Sequence, residues 1–131
     1  MDLSVGLRGE AAITVDQAQS ANALGTGNLP TLGTSALIAL LERAAVNAIR
    51  RALHEGEESV GTMVNIRHLA PTPLGKRVRA EAVITAIDGP RITFDVRASD
   101  AVALVAEGSH ERVLVDREDF VWKAAARGAG R

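Results

Sequence analysis

The sequence predicts an α+β fold in which an antiparallel sheet curls around one long central helix. Three observations predict it: strand-like alternation precedes a long helical segment, four strand-like segments follow it, and short turn sequences separate those four. The helical segment also contains six consecutive apolar residues, 36–41, which leave this part of it without a polar side. We therefore expect the sheet to enclose the helix.

The elements that precede the sheet follow from local patterns. From residue 3 to residue 15 the odd-numbered residues are apolar or glycine and the even-numbered ones mostly polar, which predicts a half-buried strand. Residues 20–33 are rich in Ala, Asn, Gly and Thr without a sustained period, which predicts a long loop. Thr34 or Ser35 is then the expected N-cap of a helix that continues to about His54.

Four predicted strands follow the helix, at about residues 60–70, 76–87, 91–99 and 102–115. A short helix is expected to begin at Asp116, and residues 124–131 are expected to form a frayed tail after a single domain of residues 1–123. This order of elements is that of a hotdog fold. The alternative is another α+β fold with one helix laid across a sheet, such as a cystatin-like or NTF2-like domain.

Composition excludes several classes of function. The 15 Lys and Arg nearly cancel the 16 Asp and Glu, and the chain has only two Phe, one Trp and no Tyr, so nucleic-acid binding is not expected. The absence of cysteine and the scattered positions of three histidines predict neither a metal nor another cofactor. No signal-like leader or membrane-length apolar run is present, which predicts a cytoplasmic protein without a membrane partner.

One carboxylate of the predicted helix lies away from its charged side. The polar stripe is formed by Arg43, Asn47, Arg50 and His54. Glu42 is instead aligned with an apolar stripe formed by Val46, Ile49 and Leu53. A buried carboxylate needs a partner or a raised pKa, so Glu42 is expected to be either catalytic or a structural partner of a buried Arg or a helix N-terminus.

His68 is a second ionisable residue that is predicted to face inward. In the strand after the helix, a period of two places on its face Thr62, Val64, Ile66 and Ala70. A lone histidine on an apolar face is more often a core residue than a catalyst. A second inward ionisable group in the same small core, Glu42, favours a functional site.

Thr34 lies eight residues before Glu42, two helical turns earlier and near the same face. By spacing alone, Thr34 is better explained as an N-cap. His54 ends the charged stripe and His110 lies in a strand of mixed polarity, so neither is predicted to belong to a site.

Five segments together resemble the fluoroacetyl-CoA thioesterase family of hotdog enzymes. They are residues 33–36 (GTSA), Glu42, residues 61–62 (GT), residues 67–75 (RHLAPTPLG) and residues 108–112 (GSHER). The resemblance implies an acyl-CoA hydrolase whose catalytic residues are Thr34, Glu42 and His68. It also implies that Gly61 and Arg112 lie near the site and bind substrate.

The resemblance covers about residues 34–115 and implies that a homodimer hydrolyses short or medium acyl-CoA thioesters to free acid and CoA. A dimer is also expected because one sheet around one helix leaves an edge uncovered. The fluoroacetyl-specific enzyme closes its acyl pocket with an aromatic gate before the helix, whereas residues 18–33 contain no aromatic residue. Narrow selectivity for fluoroacetyl-CoA is therefore not expected.

Two other functions stay open at this point. A non-catalytic hotdog or NTF2-like module would bind an apolar ligand, or only dimerise, and would not need His68. A hotdog dehydratase or hydratase would use an Asp/His pair in a hydratase-type helix motif, which the sequence lacks. If the substrate is an acyl-CoA, the candidates for contacts with its phosphates are Lys76, Arg77, Arg79 and Arg91.

Overall fold

The computed structural model describes residues 2–130. Its sheet has five strands, β1 (Arg8–Thr14), β2 (Glu57–His68), β3 (Arg77–Asp88), β4 (Arg91–Ser99) and β5 (Leu104–Asp116). Its helices are α1 (Ala21–Leu24), α2 (Thr34–Ile49) and α3 (Arg117–Gly128). All neighbouring strands are antiparallel, in the order β1-β3-β4-β5-β2. The predicted α+β arrangement, with a sheet curled around one long helix, is confirmed.

Helix α2 supplies one side of the core. Its buried residues are Leu37, Leu40, Leu41, Ala44, Ala45, Ala48 and Ile49. In the same cluster, β3 and β4 contribute Val78, Ala80, Ala82, Ile84, Ile92, Phe94, Val96 and Ala98. Helix and sheet approach closely, since a Cβ at Gly9 in β1 would collide with the backbone of Ala44 and Ala48. The apolar run of the helix is not fully enclosed, because Ala39 is exposed.

The start of α2 differs from the prediction. Gly33, rather than Thr34 or Ser35, is the N-cap residue, and Thr34 is the first residue of the helix. A Cβ at residue 33 would lie 2.8 Å from Cδ1 of Leu24 and 3.3 Å from the Ala21 backbone, so a side chain there would crowd α1. The Thr34 hydroxyl does not cap the helix.

The end of α2 is also earlier than predicted. The α-helix stops at Ile49 and a 3₁₀ turn covers Arg50–Ala52, whereas the predicted helix continued to about His54. Leu53 is extended and packs against the core. Burial of the Leu53 side chain in this conformation favours the early end of the helix.

Two shorter helices lie in the segments before α2 and after β5. The segment predicted as a loop, residues 20–33, contains α1, which Ser20 caps through its hydroxyl. The C-terminal helix begins after Asp116, as expected, with Oδ1 of that residue accepting from the Asp119 amide at 2.9 Å. Residues 124–128 belong to α3, which continues through an alanine-rich run, and the last residue of the predicted tail lies outside the described residues. No helix within residues 2–130 is long and apolar enough to cross a membrane.

Strand β2 lies at one open edge of the sheet, since it is hydrogen bonded to β5 only. A bulge between Gly61 and Met63 interrupts its register. As a result Thr62 is exposed and its hydroxyl contacts Glu111, with Oε2 at 2.5 Å and the carbonyl oxygen at 3.2 Å. The prediction that Thr62 shares a face with His68 is therefore wrong. Beyond the bulge the predicted alternation holds: Val64, Ile66 and His68 are partly buried, while Asn65 and Arg67 are exposed.

Candidate active site

The first pair of candidate residues joins the start of α2 to the end of β2. Thr34 Oγ1 lies 2.8 Å from Nδ1 of His68. The hydroxyl is available for this contact because Gly33 occupies the N-cap position. The other ring nitrogen of His68, Nε2, is buried and has no hydrogen-bond partner within residues 2–130. The imidazole is therefore oriented through one nitrogen and unpaired at the other.

The environment of His68 favours the neutral imidazole. Burial lowers the pKa of His68 below its usual value, and an interaction with the Ala70 backbone opposes this shift only in part. A histidine with a lowered pKa is neutral at pH 7 and can accept a proton. His68 thus has the protonation state that a general base requires.

The second pair joins the middle of α2 to β5. Glu42 Oε2 accepts a hydrogen bond from Nη1 of Arg112 at 2.9 Å. The Arg112 side chain is 8% exposed and the Glu42 side chain 38% exposed, so the arginine is the more deeply buried partner. Arg112 also donates to Ser59, from Nε to the hydroxyl at 2.8 Å and from Nη2 to the carbonyl at 3.1 Å. These contacts fix the guanidinium plane against β2.

Gly61 lies beside the Glu42–Arg112 pair. It is paired with Arg112 in the β2–β5 register. A Cβ at residue 61 would lie 2.5 Å from Glu42 Oε2 and 3.3 Å from Arg112 Nη1. Any side chain at this position would push the carboxylate or the guanidinium aside, which gives a steric reason for glycine.

His110 is a member of this cluster that the sequence reasoning missed. It is 1% exposed, and its Nε2 lies 3.2 Å from Nη1 of Arg112. Its position two residues before Arg112 on one strand places both side chains on the same face, which is the signal that could have identified it. Ser59, two residues before Gly61 in β2, was also missed.

Within one chain, the two pairs lie at opposite ends of a stretch of helix. Thr34 and Glu42 are separated by eight residues of α2, or about 12 Å along the helix axis. Within residues 2–130, Glu42 makes no hydrogen bond to Thr34 or His68. The structure therefore brings together Thr34 with His68, and Glu42 with Arg112 and Gly61, but it does not bring all three predicted catalytic residues together in a single chain.

The candidate phosphate contacts are also divided by the structure. A cavity of about 620 Å³ is lined by Lys76, Arg77 and Arg79 together with Ala70, Pro71 and residues of the β4–β5 connection. This cavity lies close in the chain to His68, since Ala70 follows it by two residues. Arg91 is at the other end of β4, where its Nε lies 3.4 Å from Glu111 Oε1. No group of three or more His, Asp or Glu residues suited to a metal ion occurs in the described part of the chain.

The curled five-stranded sheet around one central helix defines a hotdog-fold protein. Residues 15–118 match the family model described as FlK, fluoroacetyl-CoA-specific thioesterase. The match spans most of the chain, and the chain belongs to this family.

Individual relatives agree with this assignment. The chain is 36% identical over 87 residues to the fluoroacetyl-CoA thioesterase of Streptantibioticus cattleyicolor, which is 66% of this chain and 63% of that protein. It superposes on a structure of the fluoroacetyl-CoA thioesterase FlK with a TM-score of 0.90, at 29% identity, covering 96% of this chain and 98% of the other. A hot-dog-like protein from Thermanaerovibrio acidaminovorans gives a TM-score of 0.87 at 26% identity, covering 97% and 94% of the two chains. These likenesses confirm the predicted hotdog fold.

Proposed function

We propose that the chain is an acyl-CoA thioesterase that hydrolyses short or medium acyl-CoA thioesters to free acid and CoA. The observation that carries the proposal is the 2.8 Å contact between Thr34 and Nδ1 of His68, which leaves a buried and unpaired Nε2. A histidine that only fills the core does not require a hydrogen bond to a threonine hydroxyl at the start of a helix. The family membership and the fluoroacetyl-CoA substrate named for the relatives support the same reaction.

The residues suit the demanding steps of thioester hydrolysis. A water oxygen attacks the carbonyl carbon, its proton passes to Nε2 of His68, and the carbon–sulfur bond breaks to release CoA as a thiolate. The first-turn N–H groups of α2 have no acceptors inside the helix, so they are suited to stabilise the negative carbonyl oxygen. The thiolate needs little assistance, since an alkyl thiol has a pKa of about 8.5, to judge from cysteine.

Glu42 is the third catalytic residue in this proposal. Its Oε2 is held by Arg112, and Oε1 makes no hydrogen bond within residues 2–130. Oε1 either orients the attacking water or attacks the carbonyl carbon itself. A single-turnover reaction in ¹⁸O-labelled water tests for direct attack, because label enters the Glu42 carboxylate only if an anhydride forms and water attacks it at the Glu42 carbonyl carbon.

The proposal requires a homodimer, because the two pairs do not meet within one chain. β2 is an open edge strand with His68 at its end and Gly61, beside Glu42, near its start. Antiparallel pairing of two β2 edges about a two-fold axis, with Asn65 of one copy opposite Asn65 of the other, keeps residues of the same face opposite each other. The extra residue of the bulge between Gly61 and Met63 then brings Gly61 of one copy opposite His68 of the other. Paired strands lie about 4.8 Å apart, so Glu42 of one subunit then comes near the Thr34–His68 pair of its partner.

The experiment that tests the activity is release of free thiol from a panel of acyl-CoAs by the wild type, His68→Ala and His54→Ala. Loss of a general base costs about 10² to 10⁴ in rate, whereas His54 is exposed and at the far end of the helical segment. We expect loss in the first variant and a rate within a fewfold of wild type in the second. Absence of thiol release by the wild type would favour the non-catalytic ligand-binding module.

A heterodimer tests whether the site is shared between subunits. One subunit carries His68→Ala and the other carries Glu42→Gln, with different affinity tags for purification. A shared site leaves one of the two sites intact, so about half of the wild-type activity is expected although each homodimeric variant is inactive. An inactive heterodimer, or a monomer by light scattering at micromolar concentration, would contradict the shared site.

A further inference from the structure

Both ring nitrogens of His110 make polar contacts although the side chain is buried. Nδ1 lies 2.8 Å from the carbonyl oxygen of Met63, the residue that ends the β2 bulge. Nε2 lies 3.2 Å from Nη1 of Arg112. The ring is stacked on Phe94, with centroids 5.9 Å apart and planes inclined by 25°. Each ring nitrogen of His110 is therefore committed to a partner.

These partners determine the protonation state of the ring. A carbonyl oxygen only accepts, so Nδ1 of His110 must carry a hydrogen. A guanidinium only donates, so Nε2 must keep its lone pair for Arg112. Only the neutral Nδ1–H tautomer satisfies both contacts. Burial lowers the pKa of His110 and the charge of Arg112 lowers it further, although the Met63 carbonyl, Glu42 and Glu111 act in the opposite direction.

The contact with His110 supplies the second acceptor for Nη1 of Arg112. The two N–H groups of Nη1 are directed to Glu42 Oε2 and to His110 Nε2, at 2.9 and 3.2 Å. Nε and Nη2 are bound by Ser59. Without an acceptor at His110, one buried N–H of Nη1 would be unsatisfied, and rotation of the guanidinium towards another acceptor would move the hydrogen bond to Glu42.

We propose that His110 is a positioning residue which, as a neutral acceptor for Arg112, holds the guanidinium in the orientation that fixes the Glu42 carboxylate. The inference rests on the proposed function, because Glu42 is the group that is positioned for the reaction. His110 itself does not contact the substrate in this account. Its effect reaches the reaction through Arg112.

The alternative is that His110 only fills the core against Phe94. Two substitutions separate its two hydrogen bonds. The side-chain oxygen of a glutamine occupies the place of Nε2 and can accept from Arg112, but it leaves the Met63 carbonyl without a donor. The side-chain nitrogen of an asparagine occupies the place of Nδ1 and can donate to Met63, but it offers Arg112 no acceptor. A residue that only fills the core would respond to lost volume rather than to which hydrogen bond is kept.

The test compares kcat, KM and Tm of the wild type, His110→Gln and His110→Asn. We expect kcat of His110→Asn to fall about tenfold to 10²-fold, the scale of a misplacement of about 1 Å, with KM within a fewfold of wild type. The kcat of His110→Gln should be at least tenfold higher than that of His110→Asn, even if the Tm values of both variants fall. Equal kcat values for the two variants would overturn the proposal.

Two measurements do not depend on activity. The ¹⁵N shifts of the His110 ring at pH 7 should show a protonated Nδ1 and an unprotonated Nε2; the opposite tautomer would overturn the proposal. In crystal structures of the variants, the Arg112–Glu42 hydrogen bond should be kept in His110→Gln and displaced in His110→Asn; its retention in both would also overturn it. If the wild type hydrolyses no acyl-CoA, the proposed function fails, while these measurements still decide whether His110 orients Arg112.

Discussion

Thr34 and His68 are 34 residues apart in sequence, and their side chains meet at 2.8 Å because the first residue of α2 lies beside the last residue of β2. The contact depends on Gly33, which takes the N-cap position and leaves the Thr34 hydroxyl free of the helix backbone. A threonine at the start of a helix would ordinarily be assigned to capping. Here its hydroxyl orients an imidazole.

Thr34→Ala is expected to lower kcat without destabilising the helix. The loss of one hydrogen bond to His68 corresponds to about 0.5–1.5 kcal/mol, or roughly twofold to tenfold in rate. Thr34→Ser should retain most of the activity, and Ser35→Ala serves as the neighbouring control because Ser35 is exposed. Steady-state kinetics and thermal unfolding of the three variants check this. A large drop in Tm for Thr34→Ala alone would show that Thr34 is a capping residue after all.

Gly61→Ala is expected to disrupt the Glu42–Arg112 pair. The added Cβ would lie 2.5 Å from Glu42 Oε2, so the carboxylate must move and kcat should fall by about 10²-fold. Gly27→Ala is the matched control, since its Cβ would make only an ordinary contact at 3.7 Å with Ala21. Thiol-release assays on both variants are the measurement. Equal activities would mean that Glu42 needs no fixed position.

Much of this fold is encoded in local patterns, whereas the site depends on tertiary contacts. The strand predicted at 91–99 matches β4 (Arg91–Ser99) because strict alternation is bounded by clear turn residues. The N-cap at Gly33 differs from the prediction because the close approach of this residue to α1 lies outside any local motif. Thr62 was placed on the wrong face because a bulge shifts the register by one residue without a sequence signature.

His110 shows the same limit for the candidate site. Its strand alternates polar and apolar residues irregularly, so the inward direction could not be chosen from the sequence. Once Arg112 is known to point inward, a period of two assigns His110 to the same face. Helical spacing also does not predict the separation of Glu42 from His68. It places Thr34 and Glu42 near one face of α2, but it does not say which end of β2 lies beside each of them.

Glu42→Gln is expected to keep the fold and lose most of the activity. The amide preserves shape and still accepts from Arg112, but it can neither attack a carbonyl nor activate water, so a loss of about 10² to 10⁴ in kcat is expected. Glu55→Gln, at an exposed turn, is the control. Kinetics should be paired with thermal unfolding. A normal rate with a lowered Tm would identify Glu42 as a structural partner of Arg112.

The unfolding free energy is expected to fall as the pH drops below about 6.5. Burial lowers the folded-state pKa of both His68 and His110 below the unfolded value of 6.5. Between the folded and unfolded pKa values the unfolded chain binds more protons, so the stability that is present above pH 6.5 is lost on acidification. Asp100 has a lowered pKa too, but from 3.8, so its contribution is lost only at more acidic pH.

Urea unfolding between pH 8 and pH 5 measures this dependence. The slope of unfolding free energy against pH should be shallower in His68→Gln and in His110→Gln than in the wild type, and shallowest in the double variant. If all three variants have the same slope as the wild type, the lowered histidine pKa values are not the origin of the acid sensitivity.

The final prediction concerns the choice of acyl group and begins with the segment before α2. Residues 18–33 contain no aromatic side chain; the bulkiest are leucines, of which Leu32 is buried in the core and Leu24 and Leu29 are 41% and 61% exposed. Without a rigid aromatic gate, selectivity must come from pocket depth, and one methylene in an apolar pocket is worth about 1 to 3 kcal/mol. We therefore expect several short or medium acyl-CoAs to be hydrolysed, with neighbouring chain lengths separated by roughly 10- to 200-fold in kcat/KM. The measurement is kcat/KM for acetyl-, fluoroacetyl-, propionyl-, butyryl- and hexanoyl-CoA. Fluoroacetyl-CoA should exceed acetyl-CoA only as far as its more electrophilic carbonyl allows; a preference of many orders of magnitude would show that another element replaces the aromatic gate.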